Sequence, residues 1–322
     1  MKAILYKEYG PPEVAKLMQV EQPIPQHNEV FVKVHCSTVN RTDAGFRSAE
    51  YFISRFWSGI LRPKHQILGC EFAGTVAACG KDVQHFKIGD RVFGFNDKSF
   101  GGHGEYLCMD ENSAIATIPN QIPFDVAAAA TEGSHYALVD IRAANVKEGQ
   151  QTLVYGATGA IGSAAVQLLK HFGAKVNAVC NSKNIELVKS LGADVVIDYE
   201  NEDFRQLPYR YDFIFDAVGK SAFKICKPLL NKKGIYISTE LGKNGINILH
   251  ALTSPLMGDK KLLFPIPSIS KEDVNFLSKL LASGEFKPLL DRSFNMDQIT
   301  EAYKYVESGQ KVGNVVLKIT EN

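Results

Sequence analysis

Apolar and polar residues follow two different patterns on either side of residue 123. Before it, short apolar stretches are broken by glycine, as expected for strands. The strands predicted in this part are 29–40, 67–80 and 90–95. The first alternates in its middle, with Val32 and Val34 on one face and Lys33 and His35 on the other. Many short strands with glycine-rich turns predict a small, partly open β-barrel.

After residue 123, apolar strands alternate with helical segments, and residues 123–146 have a helical pattern throughout. The predicted strands are 151–156, 174–180, 193–199, 211–219, 234–239 and a sixth at 260–266. The predicted helices are 160–173, 184–192, one between 219 and 234, 270–284 and 297–309. Strands that alternate with helices predict a parallel, doubly wound sheet. The closing strand, 314–319, could return to the first domain.

Composition narrows the class of protein. The chain has 322 residues, 45% hydrophobic and 22% charged, with a formal net charge of +1. These values predict a globular enzyme of two domains, or one large one, that binds neither nucleic acid nor a membrane surface. The six cysteines form no CxxC pair, and the start of the chain has no signal-peptide pattern, so we expect reduced thiols and a cytoplasmic location. The uncharged stretch 149–169 contains four glycines, which favours a strand, turn and helix over a membrane span.

The turn GATGAIG, residues 156–162, stands where a predicted strand ends and a helix begins. Glycine lets the backbone approach a pyrophosphate, and a helix N-terminus offers N–H groups and a positive dipole end to that anion. This turn is therefore a candidate site for a pyrophosphate. The context of strand, helix and second strand favours a dinucleotide site over an ordinary tight turn.

The end of the second strand of this unit bears on the choice of dinucleotide. An NAD site usually has an acid there that binds the ribose 2′-hydroxyl, but the segment 179–184 contains none. Ser182 can donate a hydrogen bond and Lys183 adds a positive charge, and both suit a 2′-phosphate. The sequence therefore predicts NADPH. The alternative is that Ser182 only caps the next helix and Lys183 is only solvated.

Several motifs together resemble the medium-chain dehydrogenase/reductase superfamily, in its zinc-free quinone oxidoreductase branch. They are VNRTD (39–43), GCEFAGTV (69–76), KIGDRVFGF (87–95), GATGAIG (156–162), SLGADVVIDY (190–199), FDAVG (215–219) and GNVVLKI (313–319). The resemblance implies an α/β chain in which a GroES-like catalytic domain, 1–122 with 267–322, surrounds a Rossmann domain, 123–266. It also implies a cofactor and substrate cleft between the domains, and a homodimer.

The resemblance lets the metal ligands of zinc-dependent relatives be compared position by position. Those relatives have Cys where this chain has Asn40, and His where it has Cys70. Their third ligand falls near Thr131 and Glu132. Asn40 is a poor zinc ligand, and a catalytic zinc needs three good ones. We therefore expect no metal, with Cys70 as a small buried residue.

Without zinc, another group must polarise the substrate. In the quinone and enoyl reductase branches, a tyrosine follows the Asn of this segment by eleven residues, which gives Tyr51 here. The resemblance implies that Tyr51 donates to the substrate and that Asn40 adds a donor. The alternative is that Tyr51 is an interface aromatic. In the helix after the domain junction, His135 or Tyr136 stands near the usual nicotinamide threonine, and either a proton relay or a structural role remains open.

The resemblance implies further cofactor contacts. The turn residues Gly156, Ala157, Thr158, Gly159, Ala160 and Ile161 would lie along the pyrophosphate. Ser182, Lys183 and Tyr199 would surround the 2′-phosphate and adenosine, Ala217 and Val218 the nicotinamide ribose, and Thr239 the carboxamide. Apolar residues in 46–66 and 240–270 predict a small apolar electron acceptor.

The leading function is NADPH-dependent hydride transfer to a quinone or a related α,β-unsaturated carbonyl. The alternatives are an alkenal, enone or enoyl-thioester reductase, an NADPH-binding scaffold or sensor with little turnover, and, disfavoured, a zinc alcohol dehydrogenase.

Overall fold

The computed structural model describes residues 1–50, 55–242, 245–254 and 258–320, and of Trp57 the backbone only. Its strands are β1 Lys2–Leu5, β2 Lys16–Gln19, β3 Glu29–Val39, β4 Glu71–Cys79, β5 Arg91–Phe95, β6 Tyr106–Asp110, β7 Ile115–Thr117, β8 Gln151–Tyr155, β9 Lys175–Cys180, β10 Val195–Asp198, β11 Tyr211–Asp216, β12 Leu230–Ser238, β13 Lys261–Leu263, β14 Leu290–Asn295 and β15 Asn314–Lys318. Its helices are α1 Arg41–Ser48, α2 Arg55–Ser58, α3 Phe124–Ala128, α4 Glu132–Ala143, α5 Ala160–His171, α6 Ile185–Ser190, α7 Phe223–Cys226, α8 Ile246–Thr253, α9 Lys271–Ser283 and α10 Ile299–Glu307.

Two compact units divide the chain. The first consists of Met1–Glu132 and Ile269–Asn322, and the second of Gly133–Ser268. The first unit thus continues to Glu132, beyond the boundary at 122 that the sequence predicts. The reason is local, since α3 packs on β3, β4 and β5 of the first unit.

The first unit is built on a sheet of order β14-β15-β3-β4-β5-β7, with β6 paired to β3. The predicted return of the closing strand is confirmed, because β15 pairs antiparallel with β3, Val316 opposite Thr38. Val32 and Val34 are buried as the alternation predicts. Cys36 is only half-buried, because the register against β4 shifts between Val34 and Cys36.

The second unit is a six-stranded sheet of order β10-β9-β8-β11-β12-β13, and every pairing in it is parallel. This confirms the predicted parallel, doubly wound sheet, including its sixth strand. The order reverses between β8 and β11, and the carboxyl ends of strands at such a point form the usual ligand-binding crevice of this architecture. The glycine turn follows β8 directly.

The structure differs from the predicted elements in several places. Residues 123–146 form two helices that are separated at Ala129–Thr131. The N–H groups of Thr131 and Glu132 bond to Glu71 instead of continuing the first helix. Residues 246–253, for which the sequence analysis predicts no helix or strand, form α8. Strand β14 was not predicted, and its side chains show no strict alternation of burial.

Candidate functional site

The glycine turn after β8 has the geometry of a phosphate-binding turn. Gly156 has φ +86°, and a Cβ there would lie 2.5 Å from Cγ1 of Val218. A Cβ at Gly162 would lie 2.0 Å from the carbonyl oxygen of Gly156, so α5 packs tightly against the turn. At Gly159, the N-cap of α5, a Cβ would meet nothing within 4 Å, and no side chain caps the helix. Open space therefore lies beside a helix N-terminus, as a pyrophosphate requires.

The predicted residues of this turn differ in exposure. Ala157 and Ala160 are buried, whereas Thr158, Gly159 and Ile161 are partly exposed. The N–H groups of Gly156 and Ala157 both donate to the carbonyl of Val179, at 3.2 and 3.1 Å. The first part of the turn is thus tied to β9, and its later part borders open space.

The strand ends beside the turn bring three further predicted residues to the same edge of the sheet. Ala217 and Val218 follow β11, and Thr239 follows β12, the next strand along. Asp216, which the sequence analysis did not single out, organises this edge. Its buried carboxylate accepts the N–H groups of Val218 (3.2 Å) and Ser221 (2.8 Å) and the hydroxyl of Tyr236 (3.1 Å).

Ser182, by contrast, is hydrogen-bonded to two acids that lie 16 and 18 residues further along the chain. Its hydroxyl donates to Oδ2 of Asp198 at 2.5 Å, and its N–H donates to Oε2 of Glu200 at 3.1 Å. Both acids come from the end of β10, the strand parallel to β9. The hydrogen bond from Ser182 lowers the pKa of Asp198. The chain has no acid at the end of β9, but folding places two acids, Asp198 and Glu200, beside it.

A cavity of about 470 Å³ borders this end of the sheet. Tyr199, 53% exposed, lines it together with Tyr155, Phe204, Arg205 and Lys220. The acids Glu200, Glu202 and Asp203 line the cavity too, and Arg205 pairs with Asp203 at 2.6 Å. The aromatic faces of the cavity suit a purine. Lys183 is exposed next to Ser182.

In the first unit, the residues at the positions where zinc-dependent enzymes have ligands are joined to their neighbours by hydrogen bonds. Asn40 is the N-cap of α1, and its Oδ1 accepts the N–H of Asp43 at 2.8 Å. Its Nδ2 donates to Sγ of Cys70 at 3.2 Å and to the hydroxyl of Thr38 at 3.3 Å. Burial raises the pKa of the Cys70 thiol well above its usual value, which disfavours the thiolate that binds metals.

The turn at Gly69 and Cys70 is held by Asp43. Its Oδ1 accepts the N–H groups of both residues, at 3.1 and 3.3 Å. Gly69 has φ +88°, and a Cβ there would lie 2.5 Å from the backbone nitrogen of His103. The local sequence thus produces a tight, buried turn.

Glu71 accepts hydrogen bonds at the start of α4. Oε1 accepts the N–H of Thr131 (3.0 Å), its hydroxyl (2.9 Å) and the N–H of Glu132 (2.6 Å), and Oε2 accepts the hydroxyl of Thr38. Burial raises the pKa of Glu71, and these hydrogen bonds oppose that shift. No cation is needed to explain the burial of this carboxylate.

Glu132, the third ligand position, is buried and accepts the hydroxyl of Thr42 at 3.0 Å. Burial and the Glu71 carboxylate raise the pKa of Glu132 to about 7, while Lys311 opposes the shift. Burial lowers the pKa of Lys311, whose ammonium donates to the carbonyl of Gly313 at 2.7 Å.

Within the described ranges, no three His, Cys, Asp or Glu side chains converge so as to hold a metal ion. The three zinc positions of related enzymes carry an amide at Asn40, a buried thiol at Cys70, and a hydroxyl and a carboxylate at Thr131 and Glu132. Tyr51 and the apolar residues Phe52, Leu256 and Met257 lie outside the described residues, and so does the side chain of Trp57. His135 is buried in α4 with its ring 4.5 Å from that of Tyr136, centroid to centroid.

Comparison with known proteins agrees with this geometry. Residues 26–120 match the family model of the alcohol dehydrogenase GroES-like domain, and residues 191–317 match that of the zinc-binding dehydrogenase. The chain is 31% identical over 98% of its length to 2-methylene-furan-3-one reductase of Solanum lycopersicum, of which it covers 79%. It belongs to the medium-chain dehydrogenase/reductase superfamily.

Two further comparisons place the chain within that superfamily. It is 30% identical over 98% of its length to the chloroplastic NADPH-dependent alkenal/one oxidoreductase of Arabidopsis thaliana, covering 79% of it. The quinone oxidoreductase structure from Coxiella burnetii superposes with a TM-score of 0.88 at 27% identity and covers 99% of both chains. The predicted superfamily, its quinone oxidoreductase-like branch, and the α/β fold with GroES-like and Rossmann domains are confirmed.

The family model that matches residues 191–317 carries zinc binding in its description. Its matched residues, 191–317, include none of the three ligand positions, at residues 40, 70 and 131–132. The match therefore supports the Rossmann and closing segments and does not bear on the ligand set.

Proposed function

We propose that the chain is a zinc-independent oxidoreductase that passes a hydride from NADPH to a quinone or another α,β-unsaturated carbonyl. The observation that carries the proposal is the turn after β8, where open space at Gly159 adjoins the uncapped N-terminus of α5. The two relatives named for enone and alkenal/one reduction, and the neighbour named for quinone reduction, support this substrate class.

The chemistry needs one hydride and one proton. NADPH, when bound, supplies the hydride and leaves as NADP⁺. A quinone that gains the hydride and a proton becomes a hydroquinone, and an enone that gains them at its β- and α-carbons becomes a saturated ketone. Gly156–Ile161 would hold the pyrophosphate, Ser182, Lys183 and Tyr199 the adenosine end, and Ala217, Val218 and Thr239 the nicotinamide end.

Zinc independence is part of the proposal. It is supported by the hydrogen bond from Asn40 to Cys70, which engages the side chains at two of the three positions. Metal analysis of protein purified without added zinc tests it directly. We expect far less than one zinc per chain and unchanged turnover after chelation, and a stoichiometric zinc would refute this part.

Tyr51 and Asn40 are the proposed groups that polarise the substrate oxygen. The Asn40 amide is engaged with Thr38, Cys70 and Asp43, so its role as a substrate donor would require one of these contacts to be exchanged. Tyr51→Phe removes only a hydroxyl. We expect it to lower kcat for enones more than for quinones, because an enolate needs a donor. Unchanged reduction of every substrate would remove Tyr51 from the mechanism.

Steady-state NADPH oxidation with a panel of acceptors tests the function itself. The panel should contain a quinone, an alkenal, a cyclic enone and an enoyl thioester, with a primary alcohol and NADP⁺ as the reverse test. We expect turnover with the quinone or the enone and none with the alcohol. Preference for the alkenal or thioester would select the alkene-reductase alternative, and tight NADPH binding without turnover would select a scaffold or sensor.

A homodimer belongs to the same proposal. The strand β13 ends the six-stranded sheet, and the nearby helix α8 exposes Ile248, Leu249 and Leu252, the last by 72%. An apolar helix beside a sheet edge is typical of a surface that another copy covers. Leu252→Glu should shift the mass measured by light scattering from dimer to monomer. A wild-type chain that is monomeric at all concentrations would refute this.

The small apolar acceptor and the cytoplasmic location complete the proposal. The six cysteines form no disulfide, as a reducing compartment favours. No helix among the described residues is long and apolar enough to cross a membrane. Cell fractionation of the tagged chain tests the location.

A further inference from the structure

A carboxylate that follows β10 occupies the backbone N–H of Ser182, a donor that a 2′-phosphate would need. Glu200 accepts the N–H of Ser182 at 3.1 Å, and Ser182 begins the short 3₁₀ turn Ser182–Asn184 after β9. This is the place where the ribose of the adenosine would lie if the proposed cofactor site is correct. The inference therefore rests on the proposed function.

The two acids at Ser182 differ in how firmly they are held. Asp198 is 6% exposed and accepts the Ser182 hydroxyl (2.5 Å), the Glu200 N–H (3.0 Å) and the Asn201 amide (2.7 Å). It is a fixed part of the turn. The side chain of Glu200 is exposed, and its hydrogen bond to Ser182 is exposed as well. Of the two acids, Glu200 is therefore the one that can leave or stay according to the ligand.

A carboxylate at this position affects the two dinucleotides in opposite ways. A ribose 2′-hydroxyl can donate to it, as it does to the acid at the end of the second strand in NAD sites. A 2′-phosphate carries roughly two negative charges and would compete with the carboxylate for the Ser182 N–H. Lys183, exposed beside Ser182, is the opposing positive charge.

We propose that Glu200 determines the ratio of NADPH to NADH binding. It takes the Ser182 N–H in the free protein, lowers the affinity for a 2′-phosphate and retains affinity for a 2′-hydroxyl. The chain consequently accepts NADH as well as NADPH, with Lys183 and Glu200 acting in opposite directions on the 2′-substituent.

The test uses fragments that contain the adenosine end alone. Binding of 2′,5′-ADP and of 5′-AMP to the full chain is measured by titration calorimetry for wild type, Glu200→Gln and Glu202→Gln. Gln can still accept the Ser182 N–H without the charge. Glu202 lines the same cavity two residues further on, so its variant is a matched control for the loss of one nearby charge.

We expect Glu200→Gln to tighten 2′,5′-ADP binding about three- to tenfold, as removal of one charge near a phosphate implies. Binding of 5′-AMP should change less than about twofold, and Glu202→Gln should give a clearly smaller effect. The same order should appear in the NADPH and NADH dissociation constants. Lys183→Ala should weaken 2′,5′-ADP binding.

Two results would overturn the inference while leaving the proposed function intact. One is an unchanged 2′,5′-ADP affinity in Glu200→Gln, and the other is an equal gain in Glu202→Gln. If wild type binds 5′-AMP and NADH, and neither wild type nor any variant binds 2′,5′-ADP or NADPH, the NADPH assignment itself fails. Thermal melts of wild type and the three variants, which should coincide, exclude a folding defect as the cause.

Discussion

The buried carboxylate of Glu71 joins two stretches of chain that lie 60 residues apart. It accepts two backbone N–H groups and one hydroxyl at Thr131 and Glu132, and a second hydroxyl from Thr38. Without it, these buried donors would lose an acceptor, although the Thr131 hydroxyl also reaches the carbonyl of Gly94 at 3.5 Å. Glu71 therefore contributes to stability as an acceptor, in the manner of a helix N-cap.

The stability lost when Glu71 is substituted should depend on how many acceptor oxygens the new side chain keeps. Glu71→Ala should lower the free energy of unfolding by about 3 kcal/mol, because buried donors lose their partner. Glu71→Gln keeps one carbonyl oxygen and should lower it by roughly half as much. Urea denaturation of both variants measures this. Equal losses in Ala and Gln would contradict the acceptor role.

Asp140 on α4 is a second buried acid, 5% exposed, and burial raises the pKa of its carboxyl to about 8. In the unfolded chain the group titrates near 4. Between about pH 4 and about pH 8 the folded chain therefore holds a proton that the unfolded chain has lost, and stability falls as pH rises through this window.

Asp140→Asn should remove that dependence. Its melting temperature should exceed that of wild type by a few degrees at about pH 8, and the gap should shrink towards about pH 5. Calorimetric scans at several pH values measure it. The exposed Asp259→Asn is the control and should show no such trend. A gap that stays constant with pH would show that the Asp140 carboxyl is ionised throughout.

Single residues show where sequence reasoning succeeds and where it stops. The comparison of Asn40 and Cys70 with the ligand positions of zinc-dependent relatives can be made from sequence, because each position has a motif around it. The partner of Glu71 is not readable, since Thr131 and Glu132 meet it only after folding. The same holds for Glu200, because the acid beside Ser182 comes from the neighbouring strand.

At the scale of elements, the glycines around α5 have separable roles. A Cβ at Gly162 would lie 2.0 Å from the Gly156 carbonyl oxygen, whereas a Cβ at Gly159 would meet nothing within 4 Å. The first glycine is required by packing between strand and helix. No atom of the described residues requires a glycine at position 159. A ligand that occupies the open space beside it would require one.

Alanine at the two positions should give opposite results. Gly162→Ala should lower the free energy of unfolding by about 2 kcal/mol or more, since backbone must move. Gly159→Ala should change it by less than about 1 kcal/mol but weaken NADPH binding about tenfold. Denaturation and fluorescence titration separate these effects. Unchanged NADPH affinity in Gly159→Ala would move the pyrophosphate away from this turn.

Elements with strong patterns were predictable, and those with weak patterns were not. Each of the six parallel strands contains a short apolar run near a turn, which sequence identifies well. Strand β14 is half-exposed without alternation, and α8 begins after Gly245 in the left-handed region, so neither has a clear signal. The break between α3 and α4 depends on Glu71, a tertiary contact.

At the scale of the whole molecule, the two units differ in how the chain builds them. The second unit is one continuous segment, Gly133–Ser268, with its own core around residues such as Leu153, Ile214 and Tyr236. The first unit needs both ends of the chain, because β15 pairs with β3 and β14 pairs with β15. Cutting the chain at residue 268 should therefore have unequal consequences.

The segment 133–268 expressed alone should fold. It should unfold in one cooperative transition and bind 2′,5′-ADP within about tenfold of the full chain, because the turn and Ser182 lie inside it. The segment 1–268 should retain that transition but lose the one that belongs to the first unit, since β3 loses its partner β15. Calorimetry and amide hydrogen exchange of the segments and the full chain measure both. Protected amides in β3 of the 1–268 segment would show that the first sheet does not depend on its closing strand.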